Sequence, residues 1–117
     1  MVKGPIYHLA LASDWEHSSS DGYSTSTLGR SLAEQGFIHC SFREQVQGTA
    51  DMVYRDRSDV LLLEIDPARL AAVVRVERID GTEDFPHVYG ALNRDAVVRV
   101  TPIHLLDDGR LDIANAL

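Results

Sequence analysis

The sequence predicts a small α+β fold, and three observations carry that prediction. Its strand-like apolar runs outnumber the helical stretches, the two kinds do not alternate strictly, and the longest helical pattern opens on a cap directly after a strand. Strict alternation would have favoured a doubly wound sheet. At 117 residues the chain has the length of one domain, 1–117, and 44% hydrophobic with 25% charged residues is an ordinary globular balance.

Taken in order, Ile6 to Leu9 reads as a first strand after Pro5. Ser13-Asp14-Trp15-Glu16 has the form of a capping box, so a short helix is expected near Asp14. The Ser/Thr-rich stretch from Ser18 to Thr27 reads as a loop, either an inert one or a lid beside a pocket. Phe37 to Cys40, set off by Gly36, reads as a second strand, and Ser41-Phe42-Arg43-Glu44 as a second capping box. The helix it opens carries Phe42, Val46, Thr49, Ala50, Val53 and Tyr54 on one face. Val60 to Ile65 is apolar enough for a strand buried on both faces. Asp66-Pro67 then caps a helical turn, with proline at its first position. Val73 to Val76 and Ala96 to Val100 are further strands, with turns at Asp80-Gly81 and Asp108-Gly109.

Composition narrows the function classes. Eleven basic residues against eighteen acidic ones give a net charge of −7, which argues against nucleic acid as a partner. Cys40 is the one cysteine, so no intramolecular disulfide can form. The segment before Ile6 is too short for a leader's apolar region, and no apolar run has the length of a membrane span. A cytoplasmic location and a small-molecule partner, with no nucleic acid and no membrane, are the expectation.

The chemistry-bearing candidates are histidines. His8 lies in the first strand, His39 near the end of the second, and His87 within Phe85-Pro86-His87-Val88-Tyr89-Gly90. Strand alternation turns Phe37, His39 and Ser41 to one face and Ile38 and Cys40 to the other, and puts Ile6 with His8. A histidine among apolar residues is either a hydrogen-bonded structural group or part of a site. Three of them near a capped helix point to a polar pocket, with His17 and His104 left at the surface. Three imidazoles with Cys40 would also be a legal zinc set, but no metal-binding spacing accompanies them and strand alternation turns Cys40 away from His39, so no metal is expected. Ser41 caps the helix on this reading, and the helix N-terminus beside His39 suits an anion. Glu44, Glu64, Asp84 and Asp95 are the carboxylates near these segments.

Gly36-Phe37-Ile38-His39-Cys40-Ser41 and Phe85-Pro86-His87-Val88-Tyr89-Gly90 carry a resemblance, together with Ile6-Tyr7-His8, Trp15, Ser31-Leu32, Gln45 and Leu62-Leu63-Glu64-Ile65-Asp66. Through them the chain resembles the bacterial family called domain of unknown function 952 over about residues 5–102, leaving 103–117 as a C-terminal extension. The resemblance implies an ADP-ribosyltransferase-like fold, a split β-sheet with a few short helices and NAD held in a cleft between two small sheets. It implies NAD-binding roles for His8, His39, Ser41 and Tyr89, and catalytic roles for His87 and His39. The activity implied is NAD-dependent ADP-ribosyl transfer or NAD glycohydrolysis. Here the sequence departs from the pattern: the late motif lacks the glutamate that steadies the oxocarbenium-like state at the sugar. Two alternatives follow, a non-catalytic module that binds a nucleotide or small molecule, and a metal-dependent enzyme using the three histidines.

Overall fold

The apolar run that reads as a doubly buried strand becomes β5 (Val60–Ile65), the centre of an antiparallel sheet with β1 (Ile6–Leu11) on one side and β8 (Val97–Pro102) on the other. The structure, a computed structural model, describes residues 2–18, 22–79 and 81–117. Alternation along β1 and β5 feeds two cores. Ile6, Ala10, Leu63 and Ile65 join Ile38, Cys40, Val88 and Leu92, whereas Tyr7, Leu9, Val60 and Leu62 join Val46, Ala50 and Tyr54. The stretch read as an extension, 103–117, belongs to the second core through Ile103, Leu111, Ile113 and Ala116. Its predicted reversal is there: Gly109 has φ +87° and donates its N–H to Leu106 O at 3.0 Å.

A second antiparallel sheet has the order β4 (Ile38–His39), β7 (Phe85–Tyr89), β6 (Val73–Glu77). The chain after β4 then crosses to the first sheet, where Tyr7 N donates to Ser41 O at 2.8 Å and Ser41 N to Tyr7 O at 2.7 Å. One extended run, residues 38–41, therefore belongs to both sheets and joins them. A small hairpin, β2 (Thr25–Thr27) with β3 (Arg30–Ser31), lies beside it. The α-helices are α1 (Ala12–Glu16), α2 (Leu32–Gln35) and α3 (Val46–Val53), with single 3-10 turns at Arg43–Gln45, Pro67–Arg69 and Arg94–Ala96. The α+β prediction holds.

The caps are where local reading needs correction. Helix α1 begins at Ala12, ahead of Ser13, and no side chain caps it. The capping box that does form is Ser31 with Glu34: Ser31 Oγ accepts from Glu34 N at 3.2 Å, and Glu34 Oε1 from Ser31 N at 3.1 Å. At the second expected box the 3-10 turn Arg43–Gln45 comes first, its cap one residue on from Ser41, and α3 begins only at Val46. The backbone of Ser41 is spent on Tyr7, so Phe42 takes the cap position and Gln45 Oε1 accepts its N–H at 3.0 Å. Ser41 Oγ instead meets Thr49 Oγ1 at 3.3 Å. Asp66 does cap its turn, accepting from Ala68 N at 3.0 Å.

Strand ends move too. The second strand shortens to Ile38–His39, although Cys40 N still donates to Pro86 O at 3.0 Å. The late strand begins at Val97, because Ala96 sits in a 3-10 turn. Within the expected Ser/Thr loop, Thr25–Thr27 is strand β2. Ser19, Ser20 and Asp21 of that loop, and Asp80 of the expected turn, lie outside the described residues.

Candidate functional site

The face of the second sheet turned from the core, α3 and the segment before Phe85 enclose a cleft of about 590 Å³. Alternation puts Phe37 and His39 of the 37–41 run on its wall, while Ile38 and Cys40 are buried in the core as expected. Strand β7 adds Phe85 and His87, and α3 adds Thr49, Met52 and Val53. Helix α3 thus serves two neighbours, the core through Val46 and Ala50 and the cleft through Thr49 and Val53.

Five rings run in a row across β4 and β7. Phe37 stacks on His87 with centroids 4.0 Å apart and planes 23° apart, and His87 lies 5.5 Å from His39, which lies 4.9 Å from Phe85. Tyr89 ends the row, 5.6 Å from Phe37. His87 is 3% exposed, and its Nδ1 donates to Glu77 Oε1 at 3.0 Å. A carboxylate can only accept here, so Nδ1 carries the proton. Among the described residues Nε2 has no protein partner, and it is left to the cleft. The Tyr89 hydroxyl donates to the same Glu77 oxygen, and these two bonds, Tyr89 first, hold the Glu77 carboxyl below its ordinary range. Burial holds His39 to a pKa of about 4, with the neighbouring His87 adding to the effect, so its imidazole is neutral at pH 7.

His8 is corrected from pocket residue to support. It shares the core-facing side of β1 with Ile6 and Ala10, and the structure places it one layer behind His39. Its Nδ1 donates to His39 O at 2.6 Å and its Nε2 accepts from the Tyr23 hydroxyl at 2.9 Å, so both ring nitrogens are used inside the protein. Burial lowers its pKa to about 4 and raises that of Tyr23. Of the remaining candidates, Ser41 is buried against Thr49 and outside the cleft lining, and Tyr89 is 37% exposed beyond its edge. The three histidines therefore do not converge on one point. Among the described residues no three His, Cys, Asp or Glu side chains are placed to hold a metal ion.

The carboxylates sort differently from the sequence reading. Asp84 turns its side chain to Arg78 at 3.2 Å, and Asp95 accepts from Asn93. Glu44 is exposed, and neither it nor Glu64 lines the cleft. Glu83 does, with its backbone neighbour Asp84 O fixed by Gln45 Nε2 at 2.8 Å. Glu77 is the residue that local reading misses. Antiparallel pairing sets Glu77 opposite Phe85 and Arg75 opposite His87, and only that register brings position 77 to the histidine. Extending the predicted strand by one residue and pairing it with Phe85-Pro86-His87 would have found it. Replacing Glu77 by glutamine is expected to end the single-tautomer state of His87, because an amide both donates and accepts. Ring-nitrogen NMR of His87 would then show a mixture of tautomers in place of Nδ1–H alone.

The family model described as a protein of unknown function, DUF952, matches residues 9–100. The chain belongs to the DUF952 family. The DUF952 match includes His39, Glu77 and His87, and His8 lies one residue before its start. Protein CC0527 from Caulobacter crescentus is similar to this DUF952 chain throughout. Its crystal structure aligns at 28% identity with a TM-score of 0.82, covering 95% of this chain and 96% of that one. Its solution NMR structure aligns at 28% identity and a TM-score of 0.72, covering 97% and 96%. None of the curated proteins matches the chain significantly.

Proposed function

We propose that the cleft binds NAD or an ADP-ribose derivative and that His87, oriented by Glu77, is its acid–base group. The observation that carries this reading is the Glu77–His87 pair: a buried imidazole anchored through Nδ1, with Nε2 free toward the cleft beside a neutral His39. The cleft volume lies in the range of small-ligand sites, and Phe37 and Phe85 offer apolar ring faces to a planar base. Among the described lining residues Arg30 is the one cationic side chain, and it suits a phosphate group. Two antiparallel sheets joined through Tyr7 and Ser41 support the split-sheet likeness to ADP-ribosyltransferase-like folds.

NAD bound here supplies the nicotinamide–ribose bond as the bond to be broken. His87 Nε2 takes the proton of the attacking water or hydroxyl, while the Glu77 carboxylate keeps the ring in the orientation and tautomer that can accept it. His39, neutral, donates or accepts one hydrogen bond to the ligand. Glu83 supplies negative charge at the cleft wall, the role for which the sequence motif lacks a residue.

The test is an amide-NMR titration with NAD and ADP-ribose, followed over hours. Shifts at His39, Thr49, Glu83 and His87 with nicotinamide appearing are the expected result. His87→Ala should slow its release by roughly a hundredfold or more, in line with loss of one general base. Absence of shifts at millimolar ligand would remove the NAD reading. A second reading, a binding module without turnover, is favoured by one observation: Glu77 reaches the cleft only through His87, and it lies outside the lining itself. The same shifts with NAD intact would select it.

A further inference from the structure

We infer that the open edge of β6 is a two-fold interface with a second copy of this chain, in which the partner's Arg75 reaches Glu77. Strand β6 ends the order β4-β7-β6 and has one neighbour. Because Pro86 O accepts from Cys40 N, residues 86 and 88 of β7 direct their backbone groups to the 38–41 run, and 85, 87 and 89 direct theirs to β6. Their opposite numbers, Glu77, Arg75 and Val73, are thereby satisfied. Val74 and Val76 turn their amide and carbonyl groups to the open side. The edge is apolar, with Val73 61% and Val76 47% exposed, and neither lysine nor proline blunts it. Alongside lies a groove of about 480 Å³ lined by Val2, Lys3, Phe42, Val74 and Val76, with room for a partner's apolar side chains.

Charge complementarity selects a second copy as the occupant. The run Val74-Arg75-Val76-Glu77-Arg78 complements itself when paired antiparallel about Val76. Arg75 then stands opposite the partner's Glu77, and Glu77 opposite the partner's Arg75, within side-chain reach. Among the described residues the donors to Glu77, His87 Nδ1 and the Tyr89 hydroxyl, both fall on Oε1, which leaves Oε2 as an acceptor. Among the described residues Arg75 makes no ion pair; its guanidinium lies over the Tyr89 ring, 5.3 Å from the centroid. A slip to pairing about Arg75 would set two guanidiniums opposite each other, and pairing about Val74 would leave Arg75 opposite Val73, so opposite charges meet best about Val76. Another end strand, β8, also exposes valines, Val98 at 47% and Val100 at 38%. Pairing it with itself about either valine sets Arg99 against Val97 or Thr101, with no opposite charge. The interface makes one six-stranded sheet, and it adds the partner's Arg75 to the carboxylate that holds His87.

Sedimentation equilibrium of the full chain tests this, with Val76→Lys and Val98→Lys as a matched pair of substitutions at exposed positions. The wild type and Val98→Lys should be dimeric, and Val76→Lys should raise the dimer Kd at least roughly tenfold. Val76→Cys should oxidise to a covalent dimer on a non-reducing gel, and Val98→Cys should not; this arm decides even if Val76→Lys fails to fold. A wild type that stays monomeric across its soluble range overturns the inference. So does a dimer that Val98→Lys dissociates and Val76→Lys does not.

Discussion

Gly22→Ala is expected to destabilise the fold by about 3–5 kcal/mol, enough to unfold a large share of a marginally stable domain. Gly22 has φ +118°, a region that residues with a side chain rarely enter. A Cβ there would lie 2.5 Å from Leu92 O and 3.3 Å from Ala91 Cβ. Neither neighbour can give way cheaply. Leu92 O accepts from Tyr23 N at 2.9 Å, and Leu92 N donates to Tyr23 O at 2.8 Å, so relief would break the bridge that seats Tyr23. Tyr23 in turn bonds His8, which holds the carbonyl of His39, so the loss would reach the floor of the cleft. Gly29→Ala is the control, with φ +75° and nothing within 4 Å of its Cβ, and should cost only about 1–2 kcal/mol. Urea denaturation of both variants separates backbone strain from collision, and equal losses would contradict the collision.

The second large effect is loss of stability in mild acid. His8 and His39 both have folded-state pKa values of about 4, against an ordinary 6.5. Folded pKa values below the unfolded ones mean that the unfolded chain binds more protons. The stability is therefore fully present above about pH 6.5 and is lost as pH falls from there toward 4. At 1.36 kcal/mol per pH unit, His8 alone is linked to on the order of 3 kcal/mol, of which about 2 kcal/mol should be gone by pH 5. The carboxylates with lowered pKa values, Glu34, Asp51, Asp59 and Glu77, act in the same direction but only below their ordinary range. Denaturation midpoints compared at pH 7.5 and pH 5 thus report the histidines. A flat profile across that interval would mean that His8 is not buried in neutral form.

Several features of the site were legible locally. Alternation along Phe37-Ile38-His39-Cys40 is enough to turn His39 away from the core and Cys40 into it, and the structure has Cys40 1% exposed. The apolar run Val60 to Ile65 is the central strand, with the bounds that composition alone sets. His17 and His104 are exposed, as the absence of an apolar setting predicts. The family membership rested on the same short motifs. His8 shows where local reading stops. Its strand and its facing were right, but the same alternation that aligns it with Ile6 sends it into the core between the sheets, and the cleft lies on the far side of His39.

What the sequence by itself determined were properties that repeat over a few residues: strand alternation, helical spacing, the Asp66-Pro67 turn and the α+β balance. Tertiary structure decided the cap of the 3-10 turn that leads into α3, which moved to Phe42 because Ser41 spends its backbone on Tyr7, thirty-four positions away. It also decided which carboxylate holds His87, because Glu77 reaches that ring only through the antiparallel register of β6 with β7. The physical reason is common to both. Caps and alternation depend on contacts between neighbours in the chain, whereas register is set by how all the strands bury their apolar faces together.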